Sequence, residues 1–451
     1  MMTYGWAILI IVIVAVILYS MGIFNPSSSL VATVTGFAGF SVQANCVAGG
    51  TIVMSLGNIF GYPVYLQNAT IYLPNATSLS EPIDYPLTAS GSHVFFLQHA
   101  CPTKVGSHYT DKIILTGTEY NSLNSPITVT GSISGSISAI VPYHILENIT
   151  VQGFPTANTI TNNGYYVWQP NQGPGTVSIV NVVSASVVKT LTGLPARAIV
   201  FSKNDSLAFI AGNSGASGPG YWMVVMNTSN YKILKNISKV CSPQMLSLSS
   251  NGKYVFIPGL ALGGSPCDRF IVLNVSNLNV VANVSEDGLS VWSAAESPNG
   301  QYIYLTDPWA NDVSIMNSQT YTITKNITGF ASPNSIAFTP NNQYVYIGGG
   351  KYITKIDLAT QSVVGNYSVL NKLGISGLTI SNDGNYIYAV TCSSSGDGIT
   401  PVFDTSTNSV VANITLNSPA DHCMSYGVLS PSNNFLYEAS ATGNSLFVIS
   451  V

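Results

Sequence analysis

Charge is the scarcest property of this sequence. Asp, Glu, Lys and Arg make up 7% of its 451 residues, and no Lys or Arg precedes Lys104. Ordinary soluble proteins carry roughly 25% charged residues. A net charge of −4 with so few cations excludes nucleic-acid binding, which needs a basic surface. With few groups to titrate, stability is expected to depend weakly on pH, which would suit an acidic exterior.

Several catalytic and cofactor-binding motifs are also missing. The sequence contains no C-x-x-C pair, no G-x-S-x-G nucleophile turn and no glycine-rich phosphate loop. These absences argue against a zinc ribbon, a serine hydrolase of that type and a nucleotide-binding enzyme. Disorder is excluded as well, because 46% of the residues are hydrophobic and 10% are aromatic. The composition therefore favours a folded, non-enzymatic protein without a cofactor.

The six cysteines are widely spaced. An even number on an exported chain indicates disulfides, but the count alone leaves the pairing open. The domain layout described below favours the pairs Cys46–Cys101, Cys241–Cys267 and Cys392–Cys423.

One long stretch, Tyr4–Phe24, is apolar and free of charge. As a helix it would extend ~30 Å, enough to cross a bilayer. Trp6 and Tyr19 lie near its two ends, where aromatic rings favour the membrane–water boundary. Pro26 and the following serines end it. A cleaved secretory signal would need a basic start and a small-residue cleavage site, and neither is present. The stretch therefore predicts a membrane helix.

The first residues, M-T-Y-G-W-A-I-L-I-I-V-I-V followed by G-I-F-N-P-S-S-S, resemble the start of archaeal type IV pilin-like proteins. In that family the helix is stored in the membrane and then packs against sister helices in a filament core. The resemblance implies self-association through the helix, with contacts expected at Tyr4, Trp6, Ile10, Ile13 and Ile17. The basic leader and the Glu-containing segment of that family are not seen. A filament subunit and an anchored monomer therefore both stay open.

The chain is predicted to have three parts: a helix at 1–25, a sandwich at 26–140 and a propeller at 141–451. In the second part, short runs with a period of two are separated by Gly, Pro, Asn and Ser at roughly ten-residue intervals. This pattern predicts a β-sandwich of about seven strands, loosely immunoglobulin-like. The fold class is therefore mainly β.

From residue 141 onward the chain repeats about every 41 to 49 residues. Each repeat carries a turn and then a strand of the form Tyr-apolar-Tyr, and this period matches a four-stranded propeller blade. Asn-Gly and Asp-Gly pairs predict two-residue hairpin turns. The copies are Gly164–Trp168, Asp205–Phe209, Gly252–Phe256, Gly300–Tyr304, Asn342–Tyr346, Gly384–Tyr388 and Asn433–Tyr437.

Counting the copies predicts seven blades. The last one has three strands, and residues 144–151 have the pattern of the missing fourth, so we expect them to close the ring. These repeats resemble the tyrosine- and valine-rich (YVTN-type) propellers of archaeal and bacterial surface proteins over about 310 residues. The resemblance implies the propeller fold and says little about function.

Asn-x-Ser/Thr sequons are frequent, and several recur at the same place in the repeat, in the outermost strand. This placement predicts a belt of N-glycans around the propeller. The sequon asparagines are Asn68, Asn75, Asn148, Asn204, Asn227, Asn236, Asn274, Asn283, Asn326, Asn366 and Asn413.

The search for chemistry centres on the residues predicted to face the central channel, two positions after each Pro-equivalent residue. They contain one charge and no cluster of carboxylates or histidines, so no catalytic or metal site is expected. They are Ala157, Arg197, Met245, Ser293, Ser335, Gly377 and Tyr426.

Two weaker groups of residues stand out. His93, His99 and His108 lie near Asp111 in sequence but have no recognised metal-ligand spacing. Asp307 and Asp312 flank Trp309 in a blade loop, where they could bind calcium or a sugar, although such a pattern is more often an ordinary solvated loop.

These observations predict a structural and adhesive protein at the cell surface, a pilus-like subunit with its propeller displayed outward. The expected partners are copies of itself through the helix, the membrane before assembly, and a glycan or another cell-surface ligand. One alternative is a monomeric anchored binding protein. Another is an exported propeller hydrolase or lyase, which the missing channel carboxylates disfavour.

Overall fold

The computed structural model describes most of the chain after residue 31. Within the described ranges all regular structure is β-strand. No helix in this part of the chain is long and apolar enough to cross a membrane. The predicted helix at 1–25, with its assembly residues, lies outside the described residues. The described ranges are 32–73, 77–120, 124–139, 142–213, 221–237, 240, 242–260, 270–284, 290–369, 374–392, 398–416 and 424–451.

The chain divides into two compact units, Met1–Ile140 and Val141–Val451. Eight strands are described in the first unit, one more than the sequence pattern predicts. They are β1 (Thr33–Gly36), β2 (Phe40–Val47), β3 (Thr51–Asn58), β4 (Val64–Tyr72), β5 (Ser78–Leu87), β6 (Ser92–Leu97), β7 (His108–Glu119) and β8 (Pro126–Ser136).

These eight strands form two antiparallel sheets, ordered β1-β8-β7-β4-β5 and β2-β3-β6. Every second residue along a strand is buried, as at Ile52 and Met54 on β3 and at Ile113 and Leu115 on β7. This alternation is expected when each sheet turns one face to the core and the other to water.

Two buried hydrogen bonds join the sheets of the first unit. The N–H of Cys46 on β2 donates to Oη of Tyr109 on β7 at 3.0 Å. The N–H of Gln98, just after β6, donates to Oε2 of Glu81 on β5 at 2.8 Å. The two sheets therefore pack face to face, while the immunoglobulin-like topology stays a prediction.

The second unit contains the remaining 28 strands described. They are β9 (Ile145–Thr150), β10 (Thr159–Ile160), β11 (Tyr166–Asn171), β12 (Thr176–Asn181), β13 (Ser186–Thr192), β14 (Ala196–Phe201), β15 (Leu207–Asn213), β16 (Tyr221–Asn227), β17 (Ile233–Ile237), β18 (Ser247–Leu248), β19 (Tyr254–Pro258), β20 (Phe270–Asn274), β21 (Val280–Val284), β22 (Ser293–Glu296), β23 (Tyr302–Asp307), β24 (Asp312–Asn317), β25 (Ile323–Thr328), β26 (Pro333–Phe338), β27 (Tyr344–Gly349), β28 (Tyr352–Asp357), β29 (Ser362–Ser368), β30 (Gly374–Ile380), β31 (Tyr386–Cys392), β32 (Ile399–Asp404), β33 (Ser409–Thr415), β34 (Met424–Leu429), β35 (Phe435–Ser440) and β36 (Ser445–Ser450).

The described strands of the second unit form seven four-stranded antiparallel sheets, the blades of a β-propeller. Six blades use four consecutive strands, beginning with β10–β13 as blade 1. Blade 7 combines β34, β35 and β36 with β9, in which Leu446 pairs with Ile149 and Phe447 with Asn148. The predicted closure of the ring is confirmed.

Hydrophobic clusters lie between successive blades from blade 1 to blade 7. The second aromatic residue of the Tyr-apolar-Tyr strand belongs to several of these clusters. Tyr304, Tyr346 and Tyr388 on the second strands of blades 4, 5 and 6 are almost completely buried against the next blade. The repeated motif is therefore the packing element that joins blade to blade.

The first hairpin of each blade has a four-residue loop, so the predicted two-residue turn is wrong. In blade 5, for example, the N–H of Thr339 donates to the carbonyl of Tyr344. A Ser or Thr hydroxyl before each loop accepts the N–H five residues later at 2.9 to 3.1 Å, which stabilises the longer turn. These hydroxyl residues are Thr161, Ser202, Ser249, Ser297, Thr339, Ser381 and Ser430.

One position in each of these loops has a positive φ, between +56° and +78°. Only Gly, Asn and Asp occur there, the residues that adopt the left-handed region most readily. The Asn-Gly and Asp-Gly signals thus locate the turn correctly, although its length is different. The residues are Gly164, Asp205, Gly252, Gly300, Asn342, Gly384 and Asn433.

Candidate functional site

The innermost strand of several blades begins with a β-bulge. Between β14 and β15, Ala196 pairs with Gly212 and Ala198 pairs with Ala211, so Arg197 is the extra residue of the bulge. A bulge of this kind changes the direction of the side chain that it carries. The same register shift occurs at Asn334, at Ser376 and across Ser425 and Tyr426.

Side chains from these bulges surround a cavity of about 340 Å³ where the innermost strands begin. Each of the seven blades contributes to it, which places the cavity at the mouth of the central channel. The lining includes one residue from each blade in turn: Thr156, Arg197, Gln244, Trp292, Asn334, Ser376 and Tyr426.

The cavity lining combines a cation with two aromatic rings. The guanidinium carbon of Arg197 lies 5.5 Å from the ring centroid of Trp292, close enough for a cation–π contact. Nε1 of Trp292 donates a hydrogen bond to Oη of Tyr426 at 3.5 Å. Burial raises the pKa of Tyr426, against opposing effects of the Trp292 hydrogen bond and the Arg197 charge. Among the described lining residues none is acidic, so the cavity carries a positive charge.

Two amide side chains also line the cavity, and internal hydrogen bonds fix their orientation. Nε2 of Gln244 donates to the carbonyl and the hydroxyl of Ser242 at 2.8 and 2.9 Å. Nδ2 of Asn334 donates to the carbonyl of Ile375 at 2.6 Å. The opposite atoms, Oε1 of Gln244 and Oδ1 of Asn334, are buried acceptors without a hydrogen-bond partner. An unpaired buried acceptor of this kind is costly.

Polar side chains at the mouth also connect neighbouring blades. The hydroxyl of Ser425 in blade 7 donates to the carbonyl of Pro155 in blade 1 at 2.8 Å. Thr156 then donates to the carbonyl of Arg197 in blade 2 at 2.9 Å. Ser376 in blade 6 similarly donates to a carbonyl of blade 7. The backbone at the mouth is therefore held by contacts between blades as well as within them.

The channel residues predicted from the sequence are only partly correct. Ala157, Arg197 and Tyr426 line the cavity as expected. In the four other blades the preceding residue lines it instead. The residues that line the cavity there are Gln244, Trp292, Asn334 and Ser376, in place of the predicted Met245, Ser293, Ser335 and Gly377. Trp292 and the two amides were missed for this reason.

The loop containing Trp309 continues the aromatic surface outward. Its ring centroid lies 6.0 Å from that of Trp292, and the Trp309 side chain is 57% exposed. The carboxylate of Asp307 accepts the N–H groups of Ser290, Trp309 and Ala310, so it stabilises the turn. Burial, with the nearby charge of Asp307, raises the pKa of Asp312.

The histidines of the first unit are not brought together as a metal site. His93 stacks on Tyr85 at a centroid distance of 3.9 Å, whereas Nδ1 of His108 is hydrogen-bonded to Ser136. Asp111 is buried and has no hydrogen-bond partner for either carboxylate oxygen. Across the described residues, no group of three or more His, Cys, Asp or Glu side chains could hold a metal ion.

Six sequon asparagines occupy one equivalent position in the outermost strands. Each lies two residues after a β-bulge and pairs with a residue of the third strand of its blade. Each of the six is exposed. In blade 2, for instance, Asn236 pairs with Val224 and the bulge lies at Leu234. The six are Asn148, Asn236, Asn283, Asn326, Asn366 and Asn413.

The other sequons have different surroundings. Asn204 lies in a turn, and Asn227 and Asn274 are the last residues of β16 and β20, directly before turns. The side-chain oxygen of each accepts a backbone N–H two residues later. Asn68 is half-buried on β4. Asn75 lies outside the described residues.

Cys46 and Cys101 form a disulfide within the first unit, with their Cα atoms 6.4 Å apart, as the domain layout predicts. Cys392 is also disulfide-bonded, and its side chain lines the channel cavity. Cys241, Cys267 and Cys423 lie outside the described residues, so the pairings Cys241–Cys267 and Cys392–Cys423 stay predictions.

Comparison with known proteins supports the propeller fold. The chain is 29% identical over 129 residues to a seven-bladed β-propeller protein of Mycobacterium tuberculosis. The match covers 28% of this chain and 32% of that protein, so the chain spans about a third of its length. No family model matches the sequence.

Two solved structures have the same architecture. The Cps50 (Swd1) β-propeller domain of Myceliophteria thermophila has a TM-score of 0.57 and 12% identity, covering 68% of this chain and 99% of that domain. Hydrazine synthase of Kuenenia stuttgartiensis has a TM-score of 0.56 and 14% identity, covering 66% and 96%. At these identities the likeness shows the fold alone. The chain is a β-propeller protein.

Proposed function

We propose that this chain is a cell-surface protein that displays its propeller outward as an adhesive binding module. The observation that carries the proposal is the repeated position of six exposed sequons on the outermost strands. A chance distribution of Asn, Ser and Thr has no reason to repeat one register position in six blades. Glycosylation at that position requires an exported chain, and the Cys46–Cys101 disulfide fits the same compartment.

Exposed apolar side chains next to these sequons support the same proposal. The residue two positions before each sequon asparagine is the bulge residue of its strand, and side chains two apart share a strand face. In five blades this residue is apolar and 38 to 52% exposed: Leu146, Leu234, Val281, Val364 and Val411. An attached glycan would cover each one and protect an edge strand that is otherwise open to pairing with another chain.

The hydrophobic stretch at residues 4–24 would hold the protein in the membrane or assemble it into a pilus-like filament. In the filament, Tyr4, Trp6, Ile10, Ile13 and Ile17 would pack against sister helices. The glycan belt fits either arrangement, because the propeller faces outward in both.

The residues that line the channel mouth favour ligand binding over catalysis. Its described lining offers a cation, aromatic rings and amides, but no paired acid and base for proton transfer. A cavity at the axis of a propeller with a few fixed polar groups is a typical small-ligand site.

Labelling of intact cells tests this proposal. An antibody against the propeller should label unpermeabilised cells, and electron microscopy of sheared material should show where the label lies. Labelled filaments would support the pilus-like subunit, whereas label retained with the membrane would support the anchored monomer. Label that appears only after permeabilisation would contradict surface display.

A further inference from the structure

We infer that the channel mouth binds a small, uncharged aromatic molecule. This inference rests on the proposed function, because it names the class of ligand that the same binding site takes. Two observations carry it together. Most polar side chains of the described lining form hydrogen bonds within the protein, and aromatic rings form part of the accessible wall. A ligand therefore meets a mainly apolar cavity with a flat surface.

Three hydroxyl groups of the lining donate to backbone carbonyls. Thr156 donates to the carbonyl of Arg197 at 2.9 Å, and Ser425 donates to that of Pro155 at 2.8 Å. Ser376 makes the same kind of bond to blade 7 at 2.8 Å. A donor that is already paired gains little from a polar ligand, because binding would only exchange one hydrogen bond for another.

The amide and guanidinium groups are engaged as well. Nε2 of Gln244 and Nδ2 of Asn334 donate within the protein, and their side-chain oxygens have less than 1 Å² of accessible surface. These oxygens therefore offer nothing to a ligand. The guanidinium of Arg197 stacks on the Trp292 ring and takes part in a further interaction, so it is not a free charge. A charged ligand would lose its hydration without gaining a free partner in the described lining.

Aromatic rings give the cavity its flat surface. Trp292 and Tyr426 both line it and are half-buried, so part of each remains accessible. Trp309, which is 57% exposed, continues this surface toward solvent at a ring distance of 6.0 Å from Trp292. Aromatic rings attract one another more strongly than their buried area alone predicts. An aromatic ligand therefore gains more from this wall than an aliphatic one of the same size.

The volume of the cavity sets the size of the ligand. A dry apolar cavity of about 150 Å³ holds one benzene molecule. The channel cavity has about 340 Å³, which gives room for two fused rings. Gly374 belongs to its lining, and a Cβ atom added there would meet no atom within 4 Å apart from its neighbours in the chain. A larger side chain at this position would therefore occupy open space and narrow the cavity.

Fluorine NMR on the full-length chain, purified in detergent, tests the inference. The neutral probes are fluorobenzene and 1-fluoronaphthalene, with 4-fluorobenzoate as the charged analogue and 2-deoxy-2-fluoro-D-glucose as the polar one. We expect saturable binding of 1-fluoronaphthalene, and binding of 4-fluorobenzoate at least tenfold weaker than that of fluorobenzene. The sugar should not bind at 10 mM. No saturable binding of either neutral ring, or tighter binding of 4-fluorobenzoate or of the sugar, would overturn the inference.

Gly374→Leu separates binding in the cavity from uptake by the detergent micelle, because both proteins are measured in the same micelles. It should weaken both neutral rings at least tenfold. Gly153→Leu is the matched control. Gly153 lies between β9 and β10, outside the described lining, and an added Cβ would meet only Oδ1 of Asn444 at an ordinary 3.6 Å. Its affinity should stay within twofold of the wild type.

Trp309→Ala provides a second variant, at an exposed ring whose loss leaves the core intact. We expect it to weaken binding by less than about threefold. If a folded Gly374→Leu protein binds like the wild type, or if Trp309→Ala abolishes binding, the cavity is not the site. Because these assays use purified protein, their failure would leave surface display intact, and a failed labelling experiment would leave ligand binding intact.

Discussion

Glu438 lies buried on β35, where Thr400 of the neighbouring blade donates a hydrogen bond to its Oε1 and its Oε2 has no partner. Burial raises the pKa of this carboxyl from 4.5 to about 7, although the Thr400 hydrogen bond acts in the opposite direction. In the first unit, burial raises the pKa of Glu81 to about 8. Low charge content led us to expect a weak pH dependence. These buried carboxyls lead us to expect a measurable one.

The sign of this dependence follows from the raised pKa. Below about pH 4.5 the Glu438 carboxyl is protonated in both the folded and the unfolded chain. Between pH 4.5 and about 7 it ionises only in the unfolded chain, so the free energy of unfolding falls as pH rises. The loss from one such group is on the order of 3 kcal/mol.

We therefore predict that the propeller melts at a higher temperature at pH 4.5 than at pH 7.5. Glu438→Gln should reduce this difference, because glutamine keeps the shape and the acceptor for Thr400 but does not ionise. Thermal melts of both proteins at several pH values provide the measurement.

Glu147→Gln on β9 serves as the charge-matched control, since it removes a carboxylate from the outer edge of the same blade. Parallel curves for the wild type and Glu438→Gln would show that Glu438 does not cause the pH dependence.

At this scale the sequence predicted Arg197 and Tyr426 at the channel but not Gln244 or Trp292. Which residue at the start of an innermost strand faces the channel depends on how that strand pairs with its neighbour, and a single strand's residue pattern does not contain that information. Buried carboxyls such as Glu81 were likewise not predictable. In an alternating strand, a charged residue on the inner face looks like an ordinary polar residue until the register is known.

At the scale of elements, strand β9 closes the propeller ring. It joins the start of the second unit to its last strand, β36, so the ring has no open blade. Ile149 is 6% exposed in this strand, whereas Leu146 is 38% exposed. Because the two residues differ in burial, a substitution at Ile149 tests the closure and a substitution at Leu146 is its control.

We predict that Ile149→Ala lowers the free energy of unfolding of the propeller by about 2–4 kcal/mol, because it leaves a cavity at the closure. Leu146→Ala, three residues away on the same strand, should cost less than about 0.5 kcal/mol. Urea denaturation followed by intrinsic fluorescence measures both. Equal effects of the two substitutions would contradict a stabilising role for the closure.

This closure was predictable because each blade repeats the same strand order, and the last repeat had one strand too few. The turn length was not predictable in the same way. Asn-Gly pairs are typical of two-residue hairpins, but the Ser or Thr hydroxyl before the turn, as at Ser249, stabilises a four-residue loop by accepting a backbone N–H.

At the scale of the whole molecule, the chain has few charged residues, a belt of sequons and a charged, aromatic channel mouth. With only 7% charged residues, the surface has little electrostatic repulsion to keep copies apart. Glycans over the exposed outer strands would supply solubility in another way. Such a belt leaves the channel mouth free for a ligand, because the sequons lie on the outermost strands and the cavity lies on the innermost ones.

Mapping of intact glycopeptides from the chain isolated from its own cells tests the central claim most directly. The account predicts N-glycans at Asn148, Asn236, Asn283, Asn326, Asn366 and Asn413. It also predicts lower occupancy at Asn227 and Asn274, whose side-chain oxygens hold turns. If the six outer-strand asparagines are all unmodified, the glycan belt does not exist and the case for surface display loses its main support.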